Sequence, residues 1–168
     1  MTDPHQLDPA VLGDHIDRLY RAAWGLCGSH EEAEDLVQET FAQVLRRPRL
    51  LQSDDEIGYL LRVLRNTFIS GLRRSARRPA QTELPDELQI PSNDPSGDPE
   101  ASLRNGQLYA AVAALPGDFR DAVVAVDLVG LSYRDAARAL RVREATLTTR
   151  VHRGRRRLAQ LLSDGQQP

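Results

Sequence analysis

The chain has 168 residues, 40% of them apolar and 27% charged, with a net charge of −2. That length holds one ordinary domain or two small ones with thin cores, and the composition excludes fibrous, collagen-like and wholly disordered classes. No stretch approaches the roughly 18 apolar residues of a membrane span, and the acidic, polar start lacks the order of a signal peptide, so a cytoplasmic protein is expected.

In chain order, Asp8-Pro9 reads as an N-cap followed by proline at the first helical position. Val11, Leu12, Ile16, Leu19, Tyr20, Ala23 and Trp24 then recur at helical spacing up to Gly28. Ser29 with Glu32 forms a capping box for a second helix, whose apolar face is Ala33, Leu36, Val37, Phe41, Val44 and Leu45 and which Pro48 stops. Ser53 with Glu56 opens a third, with Ile57, Leu60, Leu61, Leu64, Phe68 and Leu72 inward and an end near Arg78-Pro79. Cys27, the only cysteine, permits no internal disulfide and is expected as a small buried apolar residue.

Five prolines then fall between Pro79 and Pro99, among Asp, Ser and Gly. Such a composition does not bury enough apolar surface to offset its ordering entropy, so residues 79–101 are expected as a flexible acidic linker. Beyond it, residues 103–115 read as a helix ended by Pro116-Gly117. Asp118 caps a helix over 119–129, and Gly130 terminates that helix. Ser132 caps a short helix with Asp135 in the capping-box position, Arg141 to Arg143 turn the chain, and a last helix spans about 144–162. No strand pattern appears. The expected fold is all-α, with two small helical domains at 8–78 and 102–163.

Charge is segregated. Residues 62–78 carry six arginines and no acid; residues 132–157 carry nine arginines against Asp135 and Glu144. Residues 79–100 hold six acids and no base, and residues 29–40 hold five acids and no base. Lysine is absent. Two basic and two acidic stripes fit two kinds of partner surface, or else solvated helix faces. Residues 131–158 have the order of a helix-turn-helix: Ala136, Ala137 and Leu140, a turn with Val142, then Leu147, Val151 and Leu158 on one face of a longer helix. Its other face offers Thr148, Thr149, His152 and Arg153 to base edges, with Arg150 and Arg155 to Arg157 alongside for phosphates. A plain two-helix packing unit with a basic surface is the alternative.

The run LPGDFRDAVVAVDLVGLSYRDAARALRVREATLTTRVHRGRRRL resembles region four of extracytoplasmic-function (ECF) RNA polymerase sigma factors. AEDLVQETFAQVLRR followed by GYLLRVLRNTFISGLRRSARR resembles their region two, a three- or four-helix domain. The resemblance implies partners: core RNA polymerase, through its beta-prime clamp and beta flap, promoter DNA, and an anti-sigma factor. It implies no cofactor, no metal and no membrane insertion. Asp35, Gln38 and Glu39 match positions that face the beta-prime clamp helices. Asn66 matches the position that holds the flipped base of the minus-ten element, with Arg62, Arg65, Arg73, Arg74, Arg77 and Arg78 guiding the backbone. For the minus-thirty-five element, Thr148, Thr149, His152 and Arg153 match base-reading positions, flanked by Arg150, and Tyr133 and Arg157 match phosphate contacts. The family usually has Lys or Arg at Thr148, glycine at Ala145 and tryptophan at Tyr59, the last read as a conservative core change. The linker would thread toward the polymerase cleft, or serve only as a soluble tether.

Enzyme chemistry finds no support: there is no glycine-rich phosphate loop, HExxH or nucleophile elbow, and Cys27 with His30 forms an isolated CxxH. The rivals are a self-sufficient dimeric helix-turn-helix regulator and an adaptor that binds polymerase without reading DNA.

Overall fold

The structure, a computed structural model, describes residues 4–51, 55–77 and 98–165. Ser53, Arg78 and most of the expected linker lie outside the described residues. Three helices form the amino-terminal group: α1 Ile16–Cys27, α2 His30–Arg46 and α3 Glu56–Arg77. Four form the carboxy-terminal group: α4 Pro99–Ala113, α5 Gly117–Val123, α6 Tyr133–Leu140 and α7 Glu144–Asp164, with a π-helical segment Val124–Leu128 extending α5.

The caps explain most boundaries. Ser29 Oγ accepts the Glu32 amide at 3.4 Å, as the capping box predicts. Ser132 Oγ accepts the Asp135 amide at 3.1 Å and donates to Asp135 Oδ2 at 2.7 Å, locking the first turn of α6. Gly28 and Gly130 end their helices at φ +75° and +81°, a region closed to most side chains.

Three expectations are corrected. Asp8 organises a turn, its Oδ1 accepting the Ala10 amide at 2.9 Å, and a 3-10 turn Leu12–His15 intervenes before α1 begins. At the start of α3, Asp55 Oδ1 accepts the Gly58 amide at 3.0 Å; Ser53, the expected cap, lies outside the described residues. Asp98 caps α4 with Pro99 in the first position, so residues 99–101 belong to a helix and not to the linker. Asp118 lies within the first turn of α5 and makes no cap; its carboxylate pairs with Arg150 at 3.0 Å. A two-residue antiparallel pair, β1 His5–Gln6 with β2 Leu50–Leu51, also escaped the pattern because it is too short to alternate. His5 and His15 Nε2 meet Glu56 beside it, at 3.4 and 3.2 Å.

The buried residues form one continuous core across both groups, from Leu19, Leu60 and Leu64 to Val112, Val124, Leu147 and Val151. Two thin cores thus share one interior, which enlarges the buried fraction of each. Gly154 sets the approach of α7 to α5. A Cβ there would stand 2.7 Å from Val123 Cγ2 and 3.1 Å from the Phe119 carbonyl oxygen. Gly154→Ala gains about 1 kcal/mol of helix propensity but overpacks this contact at about 1–3 kcal/mol, so a net loss of stability is expected in urea denaturation. Unchanged stability would mean that α5 and α7 do not approach so closely.

Candidate nucleic-acid interface

Helices α6 and α7 form the expected helix-turn-helix. The turn closes through the Val142 amide, which donates to Ala137 O at 3.0 Å, and Arg141 takes φ +56°, a left-handed conformation unusual for arginine. Leu147, Val151 and Gly154 bury the inner face of α7. Thr148, Thr149, His152, Arg153 and Arg157 are exposed. The two threonine hydroxyls donate back to Glu144 O and Ala145 O at 2.9 and 3.1 Å, leaving their lone pairs outward as acceptors.

The arginines of α7 divide into two sets. Arg150 is held by Asp118, and Arg155 is held by Asp127 through Nε at 3.0 Å and Nη2 at 2.6 Å. That fork raises the Arg155 pKa further above its ordinary value. Both guanidiniums are thereby neutralised and serve the contact between helices. Arg153, Arg156 and Arg157 have no acid partner among the described residues; Arg157 donates to Gln160 at 3.2 Å. Tyr133 is half-buried at the start of α6.

On α3, Asn66 is exposed on the wall of an open cavity of about 750 Å³. Arg46, Arg47, Arg49, Tyr59 and Arg62 line the same cavity, and Arg141 reaches it from the helix-turn-helix. Tyr59 is half-buried, packed against the core with part of its side chain at the cavity wall. Arg73, Arg74 and Arg77 are exposed on the last turns of α3. Arg62 and Arg65 are not open to solvent in the same way. Arg62 donates to Ala139 O and Arg138 O at 3.2 and 3.1 Å, and Arg65 donates to Asp121 Oδ2 at 2.6 Å.

Asp35, Gln38 and Glu39 share the exposed face of α2, opposite buried Leu36 and Val37. Glu39 accepts from Gln43 at 3.1 Å and Arg46 at 3.4 Å, which fixes its carboxylate toward the cavity end of the helix. Sequence reasoning missed Arg46, Arg47 and Arg49. Their cluster around Pro48 was the signal, but it reads as a helix stop until α3 is folded against it.

A predominantly helical fold with a helix-turn-helix, an arginine-lined cavity and an acidic outer face has the parts of a transcription factor that engages DNA and protein at once. The Sigma-70 region 2 family model matches residues 12–78, and the Sigma-70, region 4 model matches residues 105–158. The ECF RNA polymerase sigma factor SigE of Mycolicibacterium smegmatis is 38% identical over 157 residues, covering 91% of this chain and 60% of SigE. The chain thus spans about three fifths of that relative's length. The ECF sigma factor EcfG of Rhodopseudomonas palustris is 33% identical over 148 residues, covering 88% of this chain and 80% of EcfG. Among solved structures, the sigma factor RpoE of Bartonella quintana, in complex with the anti-sigma factor NepR, superposes with a TM-score of 0.64 at 25% identity. That match covers 93% of this chain and 98% of RpoE. CnrH, solved with the cytosolic domain of CnrY, gives the same TM-score at 20% identity over 94% of this chain and 88% of CnrH, a likeness of fold. The chain belongs to the ECF RNA polymerase sigma factors. No helix among the described residues is long and apolar enough to cross a membrane.

Proposed function

We propose that this sigma factor docks on core RNA polymerase through the acidic face of α2, captures a minus-ten base at Asn66 and reads the minus-thirty-five element with α7. The observation that carries the reading is the segregation of exposed groups: acids on α2, an amide among arginines at the cavity, and hydroxyls, imidazole and arginine on one face of α7. Each surface suits its target. Carboxylates at Asp35 and Glu39 complement a basic protein surface. The Asn66 amide both donates and accepts, as an unpaired base edge requires. Guanidiniums at Arg46, Arg47, Arg49, Arg73, Arg74 and Arg77 attract the strand's phosphates. The chain works in the cytoplasm, and an anti-sigma partner is supported by the RpoE relative, which was solved with one. A self-sufficient operator-binding regulator is not favoured.

Three measurements test the three surfaces. Replacing Asp35, Gln38 and Glu39 together by alanine is expected to weaken co-purification with core polymerase without changing the circular dichroism; full binding by a folded variant would remove α2 as the docking face. Asn66→Ala should reduce open-complex formation more than polymerase binding, and relax one minus-ten base preference by about 1–3 kcal/mol. An unchanged preference at every minus-ten position would move base capture elsewhere.

On α7, Arg153→Ala is expected to lose discrimination at one minus-thirty-five base, and Arg157→Ala to weaken all sequences alike while flattening the salt dependence by about one log unit. Thr148→Arg should shift base preference, because a guanidinium reaches a guanine that threonine does not. A randomised minus-thirty-five library transcribed by holoenzyme at two salt concentrations separates these roles. Identical sequence preferences for all three variants would reduce α7 to a solvated basic face.

A further inference from the structure

The cavity beside Asn66 is built from both helical groups, and its wall is opposite in sign to the chain. Arg46, Arg47, Arg49, Arg62 and Arg141 line it against one acid, Glu39. The chain as a whole carries a net charge of −2. Glu39 is already engaged, accepting from Arg46 at 3.4 Å and from Gln43 at 3.1 Å. Arg62 donates to the Ala139 and Arg138 carbonyls, which leaves its charge in place. Arg47, Arg49 and Arg141 have no acid partner among the described residues. Like charges gathered on one concave wall repel, and an anion between them offsets that repulsion.

The wall also carries what a base requires. Tyr59 and Val63 line it beside Asn66, so an aromatic ring stands near an amide that both donates and accepts. Tyr59, Arg49 and Arg62 also line an adjoining cavity of about 420 Å³, whose wall adds Leu50, Leu51 and Arg138. The main cavity holds about 750 Å³, inside the range of about 300–1,000 Å³ common to small-ligand sites. Guanidiniums suit phosphates, a ring suits stacking and an amide suits a base edge. Together, in a space of that size, they describe a nucleotide.

Arg141 sets this wall apart. It holds φ +56°, a left-handed conformation that is unfavourable for arginine and nearly free for glycine. The turn uses that conformation to bring the Val142 amide to Ala137 O at 3.0 Å, so the backbone alone favours glycine there. What arginine adds is a guanidinium at the cavity. Its place beside α3 is set by packing between the groups: a Cβ at Gly25 of α1 would stand 2.5 Å from Leu128 Cδ1. Elements named for positions ten and thirty-five lie about 25 base pairs apart, roughly 85 Å of duplex at 3.4 Å per base pair. The minus-ten strand therefore does not account for a helix-turn-helix arginine in the same wall as Asn66. A small free anion does.

We infer that this cavity binds a free nucleoside triphosphate, its phosphates on Arg46, Arg47, Arg49 and Arg141 and its base beside Tyr59 and Asn66. The surplus of arginines over Glu39 matches a chain of phosphates better than a single one. The site itself stands apart from the promoter reading above, and only its consequence rests on that reading. A nucleotide beside Asn66 occupies the place proposed for the captured minus-ten base. Nucleotide and promoter strand therefore compete.

The test titrates the full chain into fluorescently labelled GTP at physiological salt and follows anisotropy. Saturable binding is expected, displaced by unlabelled GTP and not by guanosine. Inorganic tripolyphosphate should compete about tenfold less well, because it brings no base to stack. Arg47→Gln and Arg141→Gly should each weaken binding about tenfold. Arg141→Gly also relieves the left-handed backbone, so its melting temperature should hold or rise, and lost binding is then not lost folding. Arg104→Gln, exposed on α4 outside the cavity, should bind as the wild type does. Adding core polymerase and promoter DNA should release the label. Absence of saturable binding overturns the site. So does tripolyphosphate that competes as well as GTP, or a loss in Arg104→Gln equal to that in Arg141→Gly, since either means an adventitious anion only. Label kept on the promoter complex overturns the competition. The two readings fail separately: minus-ten preferences unchanged in Asn66→Ala, with labelled GTP still bound by the wild type, would remove base capture and leave the nucleotide site.

Discussion

Asp121 is a carboxylate with almost no access to water, and an ion in that position must be paired or it destabilises the fold. Its own helix supplies only Arg120, whose Nε lies 3.5 Å from Oδ1, and neither of those two atoms finds a hydrogen bond. The short, charge-assisted bond comes from Arg65 in the other helical group. The junction therefore satisfies a charge that the carboxy-terminal group buries. Phe68 beneath Arg120 adds the complementary half: the cation that fails to bond Asp121 well is held over a ring face instead. Separating the groups removes Arg65 and Phe68 together, but it also returns Asp121 to water, which lowers the cost of its lost partner. A contact built this way is specific in register without being permanent.

The same economy runs through the arginines of the carboxy-terminal group. Nine arginines within residues 132–157 look like one basic stripe in the sequence. Folding splits them. Asp118 and Asp127, both from the preceding helical stretch, take Arg150 and Arg155, and these pairs brace α7 against α5 and its π extension. On α7 the arginines left without an acid partner among the described residues are Arg153, Arg156 and Arg157, beside Thr148, Thr149 and His152. Exposed ion pairs of this kind contribute little stability, so their larger effect is on the electrostatic field: they confine the positive potential to one face of the helix.

Much of this was legible in the sequence. The helix periodicities, the Ser29 and Ser132 caps and the terminating glycines Gly28 and Gly130 are local signals, and they are where the structure puts them. The helix-turn-helix was legible because its buried positions, Ala136, Ala137, Leu147 and Val151, fall at fixed spacing. The errors cluster at helix starts, where Asp8 holds a turn ahead of α1 and Asp118 sits inside the first turn of α5. The cavity wall and the junction were not legible, because they join residues far apart in sequence. Nothing near Gly25 announces Leu128, and nothing near Arg65 announces Asp121. Gly25 looks like a weak point in α1 until the residues packed against it are known. Leu45 and Leu72 err the other way: both continue an apolar stripe, yet each is about half exposed because the stripe outlasts the neighbouring helix.

The absence of lysine bears on what these cations can hold. A guanidinium is a rigid fork of donors that fits carboxylates, phosphates and backbone carbonyls with nearly the same geometry. Between the two helical groups Arg65 addresses a carboxylate and Arg62 two carbonyl oxygens. Phosphate oxygens suit the same fork of donors with little change in side-chain shape. An ammonium offers a compact point charge that must be rehydrated between partners, at a greater desolvation cost for each transfer. Arg62 and Arg65 thus hold the carboxy-terminal group through a donor geometry that an ammonium does not supply, while Arg73, Arg74 and Arg77 on the same helix keep that geometry open to solvent.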